Sequence, residues 1–348
     1  MSVESIIETP SGQFTVRLAR EDERDTVLDV MDEAATWLES REIYQWEPGR
    51  FDVTLLEEAI AAGEMYLVRR RDEAAGTFSL MQTDPVVWGA QPPDAGYLHD
   101  FAIRRAFGGM QLGRCILAWV ERLCIAVGKT WLRLDCVAWN EPLNDYYRRA
   151  GFAYRRAIGN YNPVNLYEKR LWGAWNETPD LTIALAGPAD LDALLEIDAS
   201  ASAWSDAIGR PGGSAPRPLR DIFAETIMRG ESWIARWGGE RAGKITLEWQ
   251  DTKTWGLTPW DAVYVHGLST HRDFAGKGIG LTLLRWAERA AEAAGRSYVR
   301  LDCNADNPEL RVYYERAGFA HQGDVALGHR VAARYEKRIP DDLALAIT

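Results

Sequence analysis

The chain has 348 residues, 47% of them hydrophobic and 26% charged, the balance of a globular protein with room for two ordinary domains. Its 51 acidic residues outnumber 40 basic ones, and a formal net charge of −11 argues against a general nucleic-acid binder, whose phosphate contacts need a surplus of Lys and Arg. Met1 to Pro10 carries acids where a secretion signal is basic, no apolar run is long enough to span a bilayer, and Cys115, Cys124, Cys136 and Cys303 form neither a disulfide framework nor a metal-binding CxxC pair, so a cytoplasmic protein without a metal is expected.

In chain order, Phe14–Leu18 alternates as a strand and is followed by helical spacing at Val27, Val30, Met31 and Ala34. Met65–Arg69 and Gly76–Gln82 are short strands bounded by Gly, Asp and Glu, as in an antiparallel meander. Tyr97–Ile103 runs into a glycine-bearing loop and then a helix whose apolar face is Ile116, Leu117, Trp119, Val120, Leu123 and Val127, with Gly128 as its C-terminal cap. Leu132, Leu134, Cys136 and Ala138 then alternate as a strand, a short helix ends at Ala150-Gly151-Phe152, and a hairpin closes the unit.

The chain then repeats itself. Tyr97–Ala153 laid over Tyr264–Ala320, at a constant offset of 167, gives 26 identities in 57 positions without a gap. The pairs include His99/His266, Gly113/Gly280, Trp119/Trp286, Asp135/Asp302, Asn140/Asn307 and Tyr147/Tyr314, and Trp88-Gly89 pairs with Trp255-Gly256 further upstream. Two domains follow, at 1–172 and 181–348, joined by a linker at 173–180 that contains Gly173, Asn176 and Pro179. Strand, loop, helix and strand in that order imply one parallel crossover within an otherwise antiparallel sheet, so each domain is expected to be a mixed α/β fold with flanking helices. Trp119 and Trp286 are expected in the cores, and Trp172 and Trp175 to pack the two units together.

Phe274-Ala-Gly-Lys-Gly-Ile-Gly280 stands between a strand and an amphipathic helix. Glycine N–H groups at a helix N-terminus can surround a phosphate, although the spacing is neither that of a Walker loop nor G-x-G-x-x-G. The strand Val263–Thr270, this loop, the strand Arg300-Leu-Asp-Cys303, then Asn307 and Tyr313-Tyr-Glu-Arg-Ala-Gly-Phe319, together resemble the GCN5-related N-acetyltransferase (GNAT) family in order and spacing. The resemblance extends to both copies and implies two tandem GNAT folds and an acetyltransferase that uses acetyl-CoA. It places the pantetheine arm on Leu268, Ser269 and Thr270, and the pyrophosphate on Ala275, Gly276, Lys277, Gly278, Ile279 and Gly280, with Asn307 as a side-chain ligand. Gly113 and Asn140 are the corresponding positions of the first copy, whose loop reads Gly108-Gly-Met-Gln-Leu-Gly113. Gln111 there replaces Gly278, and its Cβ is expected to crowd a phosphate, so the second domain is expected to be the catalytic one.

Acetyl transfer to an amine needs a neutral nucleophile, and a proton for the departing thiolate. A tyrosine phenol suits the second need; the resemblance selects Tyr314, and Tyr147 in the first copy, with packing roles left to Tyr313 and Tyr146. His266 and His99 lie in the strand before the loop, and a histidine near pH 7 is the side chain best suited to remove the amine proton. Asp135 and Asp302 are expected to be structural acids, Asn140 and Asn307 can also cap helices, and Trp88, Trp255 and Trp260 can wall the acceptor site. The expected partner is a small-molecule amine, with neither nucleic acid nor membrane, and the chain is expected to act as a monomer with a dimer-like pair of domains or as a homodimer. The competing function is a non-catalytic acyl-CoA sensor.

Overall fold

The computed structural model describes residues 4–209, 217–328 and 330–340; the outermost domain limits expected above, at residues 1 and 348, lie outside them. The chain divides between Leu171 and Trp172 into two units. The first runs β1 (Ser5–Thr9), β2 (Gly12–Leu18), α1 (Arg24–Glu39), α2 (Val53–Ala61), β3 (Met65–Arg70), β4 (Glu73–Met81), β5 (Ala95–Ile103), α3 (Leu112–Ala126), β6 (Trp131–Val137), α4 (Glu141–Arg149), β7 (Ala153–Ile158) and β8 (Val164–Arg170). The second runs β9 (Trp175–Thr178), β10 (Leu181–Leu185), α5 (Leu191–Ala207), α6 (Leu219–Met228), β11 (Ser232–Trp237), β12 (Glu240–Glu248), α7 (Thr252–Trp255), β13 (Ala262–Thr270), α8 (Ile279–Ala293), β14 (Tyr298–Asn304), α9 (Pro308–Arg316), β15 (Ala320–Leu327) and β16 (Arg330–Arg338).

Both sheets have eight strands in the same order, β1-β2-β3-β4-β5-β6-β8-β7 and β9-β10-β11-β12-β13-β14-β16-β15. Neighbours run antiparallel except β5 with β6 and β13 with β14, the expected single crossover in each unit. In the first unit Val27, Val30 and Met31 of α1 and Leu56 and Ile60 of α2 close over Leu67 on one face. In the second, Leu283, Leu284, Trp286 and Ala287 of α8 pack on Ile245, Val263 and Val265. Most of the helical positions read from the sequence bury, which is what drives these helices to form. Ala34 and Trp119 are half-buried, and Val127, just past the end of α3, is 61% exposed. Among the described residues no helix is long and apolar enough to cross a membrane.

The structure departs from the sequence reading at the boundary between the units and adds elements to it. The segment read as a linker, 173–180, contains β9, which pairs antiparallel with β10 and so belongs to the second unit as β1 belongs to the first. Gly173 and Pro179 punctuate the ends of that short strand and give the sequence the look of a connection. Trp172 and Trp175 accordingly lie on Trp286 of the second unit, at ring-centroid distances of 4.9 and 5.5 Å. Helices α2 and α6, absent from the sequence reading, fill the stretch before β3 and β11; each is a short helix with few buried positions, too short for a periodic signal.

What positions the site is the end of each parallel pairing. β5 and β6 pair only from Ala95↔Trp131 to Leu98↔Leu134, although β5 continues to Ile103. β13 and β14 likewise pair only as far as Val265↔Leu301. On the other side of the same strands the register slips between Thr77 and Ser79, and between Lys244 and Thr246. A bulge bends and twists its strand, so β5 and β13 swing away from their parallel neighbours and leave a cleft between strand ends.

Candidate active site

The cleft leaves residues 99–103 of β5, and 266–270 of β13, without a strand partner on one edge. Leu268, Ser269 and Thr270, the expected arm-binding residues, lie on this edge. An unpaired strand edge offers backbone donors and acceptors in a row, which is how an extended amide-bearing arm is bound.

The loop beyond the strand has the same backbone in both units. Gly109 and Gly276 hold φ 77° and 79°, and the next left-handed position is Gln111 at 57° in one unit and Gly278 at 75° in the other. Helix hydrogen bonding begins with Cys115 N to Gln111 O and Thr282 N to Gly278 O, so the amides of Leu112 and Gly113, and of Ile279 and Gly280, precede the ladder and face the loop. A Cβ at Gly276 or Gly278 would meet no protein atom within 4 Å, so the loop is open on its outer side. Gln111 adopts the left-handed conformation that Gly278 has in the second unit, so the helix begins in the same way in both. Lys277 Nζ stands 4.5 Å from the Trp237 ring and adds a positive charge to the second loop. These features fit a pyrophosphate.

In the first unit two cavities meet. One, about 430 Å³, is lined by Gly108, Gly109, Gln111, Gly113 and Tyr146; the other, about 280 Å³, by Trp46, His99, Asp100 and Asp135. Phe101, Leu143 and Tyr147 line both. Tyr147 therefore occupies the junction between the loop cavity and the cavity beside the histidine. Tyr314 has the same place on α9, packed edge-on to Phe319 and against Tyr335. Burial raises both phenols well above their ordinary range, so each remains protonated at neutral pH and is a permanent donor.

The histidines lie among carboxylates that the sequence reading did not assemble. His99 Nε2 is 3.3 Å from Asp84 Oδ2 and its Nδ1 is 3.4 Å from Asp135 Oδ1. Burial disfavours charge on this ring, but its pairing with Asp135 and Asp84, which accept from it, outweighs that and raises His99 to about 10. At neutral pH it is an imidazolium held from both sides. His266 is placed more loosely, with Asp251 Oδ2 at 3.7 Å and Glu248 Oε2 at 3.9 Å, while Asp302 accepts from Arg330 Nη2 at 2.9 Å. Asp84, His99 and Asp135, and likewise Asp251, His266 and Asp302, bring potential metal-ligand atoms within 4.8 Å of one another. In the first trio the carboxylates face different ring nitrogens, which leaves one nitrogen and one carboxylate for an ion, fewer than the three protein ligands of a catalytic zinc site.

The remaining predicted residues separate. Asn140 and Asn307 cap α4 and α9, accepting from Leu143 N at 3.2 Å and Leu310 N at 3.0 Å, and Asn140 Nδ2 also donates to Gln45. Trp88 and Trp255 pack edge-on against Tyr97 and Tyr264 and face the guanidinium groups of Arg133 and Arg300, so they support the sheet, and the tryptophan lining the cavity beside His99 is Trp46. Asp84, Asp251, Asp100 and Trp46 are the site residues the sequence reading missed. Asp84 and Asp251 are themselves a pair at offset 167, a signal that lay just upstream of the aligned block.

The chain matches the family model of the acetyltransferase (GNAT) family over residues 31–152 and 201–319. It is 28% identical over 172 residues to the uncharacterized N-acetyltransferase YesJ of Bacillus subtilis, a match that takes in 47% of this chain and 94% of that protein. Among solved structures, a GNAT-family acetyltransferase from Listeria monocytogenes shows 32% identity and a TM-score of 0.42, with 48% of this chain and 100% of the other covered. The structure of yncA from Salmonella typhimurium with its cofactor acetyl-CoA shows 15% identity and a TM-score of 0.37, over 48% and 98%. Each such relative corresponds in length to one unit of this chain.

Proposed function

The chain belongs to the acetyltransferase (GNAT) family, and on that footing we propose that it transfers the acetyl group of acetyl-CoA to a primary amine by direct attack. Bound acetyl-CoA would supply the thioester. The amides at the start of α8, with Lys277, would hold its pyrophosphate, and the free edge of β13 its arm. The amine nitrogen attacks the thioester carbonyl carbon, the carbon–sulfur bond breaks, the surplus amine proton passes to a base and the departing sulfur takes a proton. Tyr314, protonated at rest, gives its proton to sulfur and regains one from solvent before the next turnover, and His266 is the base, releasing the amine proton to solvent. In the first unit Tyr147 has the donor's place, and its loop backbone supports a second acyl-CoA site.

The observation that carries this reading is the position of the buried tyrosine, which in the first unit lines both the loop cavity and the histidine cavity. An acid for the leaving sulfur must stand where cofactor and acceptor meet. Thiol release from acetyl-CoA, followed across an amine panel, tests it. Tyr314→Phe is expected to lower turnover about 10²–10⁴-fold, the usual contribution of a positioned acid, with folding intact. Loss on Tyr147→Phe as well would make both units active, unchanged rates in both variants would refute the tyrosine's role, and tight CoA binding without turnover of any amine would favour a sensor.

A further inference from the structure

Asp100 has no counterpart in the second unit. It follows His99 on β5 where Gly267 follows His266 on β13, and both hold left-handed backbone, at φ 52° and 53°. The side chain of Asp100 lines the 280 Å³ cavity, and its hydrogen-bond partner is Ser79 Oγ at 3.1 Å. The charges gathered here do not balance. Asp100 and Asp135 line the cavity beside the imidazolium of His99, Asp84 backs that ring from outside the lining, and the remaining lining residues, among them Gln45, Trp46 and Tyr147, are neutral. Asp84 is 7% exposed, and its Oδ2 faces Nε2 of the His99 ring at 3.3 Å.

Buried negative charge in excess is costly until a cation arrives, and an indole beside it is a favourable neighbour for one. The second unit is arranged otherwise. A Cβ on Gly267 would lie 3.2 Å from Lys244 Nζ, which donates to Gly267 O at 3.0 Å and pairs with Asp198 at 2.8 Å, and Arg330 takes up Asp302. The duplicated sites thus differ at Asp100, which stands where the second has Gly267, and the second adds Lys244 and Arg330 together with the carboxylates of Asp198 and Glu248.

Resting on the reading of the first unit as an acyl-CoA site, we propose that Asp100 anchors a positive charge of the acceptor there, so that this unit selects a small diamine over neutral amines and amino acids. The anchored ammonium offsets the surplus carboxylates, and the second amine is left to reach the thioester beside Tyr147. The 280 Å³ cavity limits the acceptor to a short chain.

The test is calorimetric titration of the full-length protein saturated with CoA, using three compounds of matched length: 1,4-diaminobutane, butylamine and 4-aminobutyrate. Wild type is expected to bind the diamine at least 10-fold more tightly than the other two. Asp100→Gly, which gives the first unit the residue the second already carries in the same conformation, is expected to lose one diamine site, and Asp100→Asn to weaken it comparably. Diamine binding unchanged in both variants, or a preference for 4-aminobutyrate, overturns the proposal. Acetyl transfer to the diamine by the Tyr314→Phe chain tests the underlying reading separately: Asp100-dependent binding without transfer supports the anchor and removes only the catalytic assignment of the first unit.

Discussion

A methyl group added at Gly280 would lie 2.7 Å from the Tyr313 hydroxyl, and one at Gly113 would lie 2.5 Å from that of Tyr146. Neither glycine has a positive φ, so space and not conformation requires it. The tyrosine preceding each catalytic candidate thus sets how closely α4 or α9 approaches the first turn of the loop helix. Gly280→Ala is expected to destabilise the second unit by about 1–3 kcal/mol, as overpacking does, and to weaken CoA binding by moving the amides of that turn. Gly280→Ala with Tyr313→Phe removes the clashing oxygen and should recover most of both losses. Thermal unfolding and CoA titration of the three variants check this; a double variant no better than Gly280→Ala would assign the loss to another cause.

The His99 array predicts an alkaline loss of stability. Its folded-state value of about 10 lies above the value near 6.5 of an unfolded histidine, so the stabilisation is fully present below pH 6.5 and fades as pH rises toward 10. The effect should be on the order of a few kcal/mol, given the burial and two carboxylate partners. Urea unfolding between pH 6 and 10 should show a downward slope that His99→Gln abolishes and Asp135→Asn reduces. The imidazole proton resonances give a direct reading, and a His99 that titrates near 6.5 would overturn the charged array.

Arg300 holds the centre of the second sheet. Its Nε donates to Glu336 at 2.7 Å and its Nη1 to Asp261 at 2.9 Å and Tyr264 Oη at 3.1 Å, while the guanidinium lies over Trp255. Burial opposes its charge, yet these hydrogen bonds raise it further above the ordinary arginine range. Arg300→Met should cost about 1–3 kcal/mol, because the half-buried Glu336, Asp261 and Tyr264 Oη lose their shared donor. Arg300→Lys should restore little, since an ammonium lacks the planar fork that reaches all three partners. Calorimetric unfolding tests both, and full rescue by lysine would show that charge alone suffices.

The duplication made the architecture legible. Strand alternation, the apolar helix faces and the glycine loop recur at one offset, so each ambiguous segment was seen twice, and the histidine and tyrosine positions came with it. What was hidden depends on contacts between segments distant in sequence. Asp84 precedes His99 by a loop and a strand, and an Asp-Pro pair reads as a turn until the fold sets the carboxylate against the ring. Trp46 reaches the cavity from the connection between α1 and α2, where no period marks it. Asp100 is by spacing one more acid in a strand; it lines the cavity from a position of left-handed backbone, a property no spacing reports. The strand β9 was mistaken for a linker because its pairing partner, not its own composition, makes it a strand.

The loops give the last prediction, because Gln111 and Gly278 hold the same backbone with different side chains. If backbone amides cradle the pyrophosphate, the Gln111 side chain is an obstacle that the fold tolerates at the price of a left-handed residue. Gln111→Gly exchanges a strain of about 1–2 kcal/mol for the greater freedom of glycine in the unfolded chain, so stability should change by less than about 1 kcal/mol. Its effect should fall on the ligand, with CoA binding to the first unit tightened several-fold. The reverse exchange, Gly278→Gln, puts the first unit's residue into the second loop and should weaken CoA there by a similar or larger factor, with the same small cost in stability. A two-site CoA titration of wild type and both variants separates the units: opposite shifts in the two affinities support backbone recognition in each, and affinities that both stay fixed place the pyrophosphate elsewhere.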